Sequence, residues 1–203
     1  MDEEKYLNYN SIMKKLFILI MLISLSLCSA VNADEMTKSQ QAMAYYNDNN
    51  IEQAIKILES IPENDKNAQD WLLMGNLLQD KNKNAEAVFM FKRAILVDKN
   101  YYKPYYNLAN IYLEEDRPLM AIDNYKNVIR LKRDFAYAYY NIGCAYLKLG
   151  DYKKAKKYFA KAVELKNTEP DFQYNLAFCY KKLNKLKLAS RHLEFYNKLL
   201  ETN

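Results

Sequence analysis

The sequence predicts an all-α protein built as a stacked array of helical hairpins, and three periodic columns of residues predict it. Gly75, Ala109, Gly143 and Ala177 stand 34 residues apart, and Ala87, Ala121, Ala155 and Ala189 keep the same step. A third column, Asn49, Asn82, Asp116, Gly150 and Asn184, holds residue types that tolerate the left-handed backbone that ends a helix. A fixed period of this length marks a repeat architecture. The two columns of small residues fall where two helices of one hairpin cross closely, and large apolar residues flank them at helical spacing.

Each hairpin can be justified in order. The first repeat, about 35–67, is the weakest copy: Ala42, Tyr45, Ala54 and Leu58 fit, and a shortened step to Ala87 points to a one-residue deletion after Pro62. Repeat 2, about 68–101, carries Trp71, Met74, Gly75 and Leu78 on its first helix and Ala87, Phe91 and Ala94 on its second. Repeat 3, about 102–135, carries Tyr105, Leu108, Ala109 and Tyr112, then Ala121, Tyr125 and Val128. Repeat 4, about 136–169, is a strong copy with Tyr139, Ile142, Gly143 and Tyr146, then Ala155, Phe159 and Ala162. Repeat 5, about 170–203, has Gln173, Leu176, Ala177 and Tyr180, then Ala189, Leu193 and Tyr196, so its ends are degraded, as terminal repeats are. Pro62, Pro104, Pro118 and Pro170 all fall at predicted helix ends or first turns, where a missing amide hydrogen costs little. No segment is left to form a strand.

These strings resemble the tetratricopeptide repeat (TPR), whose pattern runs from a large aromatic through Leu-Gly and Tyr to an Ala and a second aromatic. The resemblance implies a right-handed superhelical solenoid of about five TPR helix-turn-helix repeats across 34–203. It also implies a protein- or peptide-binding function, with the first helices lining a concave groove. Carried over by position, the lining is Leu72 and Asn76 in repeat 2, and Lys103, Tyr106, Asn107, Asn110 and Leu113 in repeat 3. In repeat 4 it is Tyr137, Tyr140, Asn141, Cys144 and Lys148, and in repeat 5 it is Tyr174, Asn175, Phe178, Lys181 and Lys182. Tyr106, Tyr140 and Tyr174 are expected to form a ladder of rings, with Asn107, Asn141 and Asn175 beside them to pair with a bound backbone. Tyr and Asn at these positions also belong to the family's consensus, so packing explains them as well as a ligand does. The subtype that clamps a chaperone's C-terminal carboxylate has a Lys after the first aromatic; Leu72, Tyr106, Tyr140 and Tyr174 stand there instead.

The N-terminal 33 residues are read as an extension and signal peptide. Lys14 and Lys15 precede the apolar run LFILIMLISLSL (16–27), and Val31 and Ala33 suit cleavage before Asp34. The run is short for a spanning helix, and Met13 is expected to be the true start. This places the protein outside the cytoplasm, in a bacterial periplasm. Two alternatives stay open: an uncleaved segment tethers the repeats to the membrane, or LSLC (25–28) is lipidated at Cys28, although Leu27 departs from the small residue usual there.

Cys144 and Cys179 read as small apolar packing residues, and His192, the sole histidine, as a surface residue. With no paired Cys motif, no glycine-rich phosphate loop and no Ser-His-Asp arrangement, no metal, cofactor or catalytic residue is expected. The net charge of +5 hides an asymmetry: residues 34–135 hold 14 Lys plus Arg against 16 Asp plus Glu, and 136–203 hold 13 against 6. The basic run KKAKKYFAK (153–161) reads as a solvated outer helix face, or as a surface for an acidic partner or anionic headgroups. No nucleic-acid motif is present. The expected function is a non-catalytic scaffold that binds a protein or peptide within an exported envelope assembly, with a membrane-anchored structural subunit as the alternative.

Overall fold

The computed structural model describes residues 36–201, so the leader lies outside the described residues. These residues form ten α-helices and one 3-10 turn and contain no strand. They divide into two compact units at Asp65 and Lys66.

The first unit holds α1 (Lys38–Asn47) and α2 (Ile51–Glu59), followed by the 3-10 turn Glu63–Asp65. Thr37 starts α1 with a reciprocal capping box: its hydroxyl accepts from the Gln40 amide while the Gln40 side chain accepts from the Thr37 amide. Ala42 and Ala54 are both buried. Lys38 Nζ donates to the Ser60 carbonyl at 3.0 Å, which ties the start of α1 to the end of α2 and makes the pair an antiparallel hairpin.

The second unit holds four more hairpins: α3 (Ala68–Asp80) with α4 (Asn84–Val97), α5 (Tyr102–Glu114) with α6 (Pro118–Leu131), α7 (Ala136–Lys148) with α8 (Tyr152–Leu165), and α9 (Pro170–Lys182) with α10 (Leu186–Glu201). All five turns repeat one geometry. Asn49, Asn82, Asp116 and Asn184 have φ of 57–58° and Gly150 has φ of 72°, the column predicted from sequence. After each, an amide reaches back five residues to a first-helix carbonyl, as in Lys83 to Leu78 at 2.9 Å and Arg117 to Tyr112 at 2.8 Å. These are Schellman closures, which satisfy carbonyls that a helix end leaves open. Pro118 and Pro170 begin α6 and α9, and Pro104 lies in the first turn of α5.

The helix crossings explain the small-residue columns. Ala87, Ala121 and Ala155 have no exposed surface and Ala189 almost none. At Gly143 an added Cβ would lie 2.6 Å from Phe159 Cε1, and at Gly75 one would overlap the Phe91 ring, so only hydrogen fits under those rings. Phe91, Tyr125 and Phe159 are the large fully buried side chains of α4, α6 and α8. Around them runs a core continuous from repeat 2 into repeat 4, with further clusters joining repeats 4 and 5.

A second column acts as a strut rather than as packing alone. Tyr105 OH donates to the Lys99 carbonyl at 3.4 Å and Tyr139 OH to the Arg133 carbonyl at 3.1 Å, each six residues back. Gln173, which sequence alone marked as degraded, donates from Nε2 to the Asn167 carbonyl at 3.3 Å and so keeps the same tie. In repeat 2 the position is Trp71, whose ring receives the Arg93 guanidinium at 4.8 Å and the Lys66 ammonium at 5.7 Å. Its buried Nε1 has no hydrogen-bond partner among the described residues.

Candidate functional site

The positions assigned to the groove lie on the first helices α3, α5, α7 and α9, where hydrogen bonds join them from one repeat to the next. Asn107 Nδ2 donates to Asn76 Oδ1 at 2.7 Å. Asn141 Nδ2 reaches Asn110 Oδ1 and the Tyr106 hydroxyl, each at 3.3 Å, and Asn110 Oδ1 also accepts from Tyr125 OH at 2.6 Å. Asn175 Nδ2 donates to Tyr140 OH at 2.8 Å and to the Asp171 carbonyl at 3.2 Å. The amides expected to meet a ligand's backbone are thus engaged with the neighbouring repeat. The side chains form a polar seam between repeats, half-buried along its length.

The rings follow the same logic. Tyr140 stacks on Phe172 at 4.6 Å and 21° and tilts against Phe159 at 5.4 Å. Tyr106 meets Phe135 edge-on at 5.1 Å and tilts against Tyr125 at 5.8 Å. Burial raises the pKa of both hydroxyls, so they remain neutral members of the seam. The expected ladder of Tyr106, Tyr140 and Tyr174 is therefore not an open one. Only Tyr174 stands exposed, at 47 %, with Tyr196 tilted against it at 5.3 Å. Leu72, expected to line the groove, is instead buried, turned into the apolar core cluster that also holds Phe91 and Leu108.

What remains accessible is concentrated in repeats 4 and 5. Tyr137 is 38 % exposed; its hydroxyl donates to Glu169 Oε1 at 2.9 Å and accepts from Lys166 Nζ at 3.0 Å, while that ammonium lies 4.9 Å over the ring. Lys166 and Glu169 are themselves ion-paired. Hydrogen bonds from Lys166 and Tyr137 hold the Glu169 carboxyl below its ordinary range. Half-buried Phe178 sits 6.3 Å from Tyr152, and Lys182 lies over both rings, at 5.4 and 5.8 Å. Lys181 is exposed and its ammonium has no charge or hydrogen-bond partner among the described residues. Lys103 is also exposed, and Leu113 packs against the core. Lys148 pairs at 3.0 Å with Asp116, the positive-φ turn residue of the preceding repeat.

The thiols have a packing environment. Burial pushes Cys144 up to about 11 and Cys179 up to about 12, so neither is a thiolate at neutral pH. His192 departs from expectation: it is half-buried, its Nδ1 lies 2.8 Å from Gln173 Oε1, and its ring stacks on Tyr180 at 5.4 Å. The residue that places it there, Gln173, occupies an aromatic column, and that polar exception was the available signal. The Tyr137–Lys166–Glu169 cluster had none, since Tyr137 lies on α7 and the other two in the loop between α8 and α9, at non-periodic spacing.

Family models of the tetratricopeptide repeat match residues 70–101 and 136–169, and another matches 40–68. A third, described as a TPR repeat, matches 120–150. No relative is found among curated proteins. Solved structures do match. The crystal structure of MamA is 20 % identical with a TM-score of 0.72, covering 82 % of this chain and 96 % of MamA. The double mutant MamA RS-1 ArsTM is 21 % identical with a TM-score of 0.73, covering 82 % and 97 %. Pseudomonas aeruginosa pilF is 20 % identical with a TM-score of 0.69, covering 79 % of this chain and 74 % of pilF. At these identities the likeness is one of fold.

Proposed function

This chain belongs to the tetratricopeptide repeat family, and from that premise we propose that it is a non-catalytic scaffold that binds a protein or peptide through the first-helix face of repeats 4 and 5, within an exported envelope assembly. The observation that carries the reading is the split along that face. Repeats 3 and 4 use their tyrosines and asparagines to join to the next hairpin, whereas Tyr137, Tyr174, Phe178, Lys181 and Lys182 leave aromatic and cationic surface accessible at one end. Rigid aromatic rings such as Tyr174 are what interface hot spots are enriched in, and the lysines beside them add charge that steers an acidic partner. The seam behind them fixes the surface in place, which lowers the ordering cost of binding.

The exported setting is supported by Lys14, Lys15 and the apolar run 16–27 of the leader. The alternative, a membrane-anchored structural subunit, draws on the same run and on Cys28. No described helix is long and apolar enough to cross a membrane. Cross-linking in the native cell, followed by identification of the attached protein, supplies the partner for titration. Tyr174→Ala should weaken that partner by tenfold or more with an unchanged circular dichroism spectrum, and undiminished affinity would remove the groove from the proposal. Release of the protein without detergent, with an N-terminus at Asp34, supports the exported soluble form; a lipid-bearing Cys28 or a detergent requirement supports the alternative.

A further inference from the structure

A cleft of about 520 Å³ opens on repeats 4 and 5, and it shares no residue with the groove set. Three structural layers build it. The floor is apolar, with Val163 of α8 and Phe195 and Leu199 of α10. Phe195 remains 47 % exposed, so a large ring faces solvent without a covering side chain. The rim is cationic: Arg191 stands one helical turn before Phe195 on the same face of α10, with Lys198 one turn beyond. Arg191 is exposed and makes no ion pair among the described residues. The wall is a fixed polar pair. Gln173 is buried, its Nε2 donates to the Asn167 carbonyl, and its Oε1 therefore accepts from Nδ1–H of His192. That assignment makes Nε2 the unprotonated nitrogen of the neutral ring.

We propose that this cleft is a second docking site, on a surface separate from the groove, for a peptide segment that alternates acidic and apolar side chains. An apolar side chain would cover Phe195 and Leu199 while a carboxylate reaches Arg191, so the occupant matches the floor and the rim at once. The charge of the region agrees: residues 136–203 hold 13 Lys plus Arg against 6 Asp plus Glu. Among the described residues that line the cleft there is no carboxylate to oppose an acidic guest.

The site carries its own reporter, because His192 is the chain's only histidine. In the free protein, burial and then the Arg191 charge hold its pKa below the ordinary 6.5. Of the residues that line the cleft or stack on the ring, those that are charged or titrate are Arg191 and Lys198 on its own helix and Tyr180 on α9, with Tyr196 one turn on along α10; Val163 of α8 and Asn167 and Thr168 after it do not titrate. A carboxylate beside Arg191 offsets that charge and favours the imidazolium, so binding should move the His192 midpoint upward.

The test uses the full chain and a synthetic amidated peptide, Glu-Phe-Glu-Leu-Glu, with its Gln-for-Glu analogue as control. NMR of the histidine ring should show the His192 midpoint rise on adding the acidic peptide and stay put with the analogue. Arg191→Gln should weaken binding at least threefold and abolish the midpoint shift, while Tyr174→Ala in the groove should change neither. An unmoved His192 resonance at millimolar peptide would overturn the proposal. So would a shift that survives Arg191→Gln, or one that disappears with Tyr174→Ala, which would place the peptide in the groove.

Discussion

Repeats 4 and 5 put the same columns to different use. In repeat 4 the second-helix aromatic, Phe159, has no exposed surface, whereas its counterpart Leu193 is 38 % exposed. Tyr140 lies stacked under Phe172 with its hydroxyl taken by Asn175; its counterpart Tyr174 stands open. Lys148 has Asp116 for a partner, but 34 residues on, Lys182 follows a turn built on Gly150, and it settles over Phe178 and Tyr152 instead. The difference teaches that a TPR side chain has no fixed role of its own. A following hairpin converts it into a joint, and among the described residues no hairpin follows α10.

Paired substitutions can break that comparison. The largest expected effect is Tyr140→Ala, which removes a stacked ring and one of the two acceptors of the Asn175 amide; it should destabilise by about 3 kcal/mol. Tyr174→Ala should cost less than about 1 kcal/mol. Urea unfolding of both decides it, and equal losses would mean that Tyr174 is as much a joint as Tyr140.

Ala155→Leu comes next. Overpacking the crossing of α7 and α8 should cost about 1–3 kcal/mol, while Ala189→Leu should cost less, since Leu193 and Phe195 on α10 are exposed where Phe159 on α8 is fully enclosed. Lys157→Ala, on the exposed face of α8, serves as the neutral control, within about 0.5 kcal/mol. Thermal melts that rank Ala189→Leu above Ala155→Leu would reverse the assignment of the tighter repeat.

A smaller loss, about 1–2 kcal/mol, is expected from Asn141→Ala, which leaves Asn110 and Tyr106 each short of one hydrogen bond. Asn107→Ala, with one partner, should lose about half as much. Similar values for the two would show that the seam contributes through burial and not through its bonds.

The pH dependence sharpens the picture of repeat 5. Burial depresses the His192 pKa, so the folded state binds fewer protons there than the unfolded chain. Stability from this group is present above 6.5, the ordinary value, and declines as pH falls from there through the lower folded-state value. His192→Gln should flatten that part of the profile between pH 7.5 and 5. A parallel decline in both proteins would assign the acid sensitivity to carboxylates.

The hairpins were legible because their determinants are local. Small residues at a crossing and a residue tolerant of positive φ at each turn act within one repeat, and Asn49, Asn82, Asp116, Gly150 and Asn184 could be placed from spacing alone. The candidate site was legible only as a set of positions. Whether Asn141 meets a ligand or Asn110 depends on how closely α7 approaches α5, a distance that no single repeat encodes. His192 was misassigned for a related reason: its partner Gln173 breaks an aromatic column, and the meaning of that break lies 19 residues away in sequence.

The glycines beneath Phe91 and Phe159 carry a consequence for how such a chain can evolve. Gly75 and Gly143 are matched to Phe on the following helix, while Ala109 is matched to Tyr125 and Ala177 to Leu193. Joining a first helix that carries Ala to a second helix that carries Phe in the geometry of repeats 2 and 4 would drive a methyl group into the ring. Recombination at the turn inside a hairpin would therefore be penalised wherever it sets Ala on the first helix against Phe on the second.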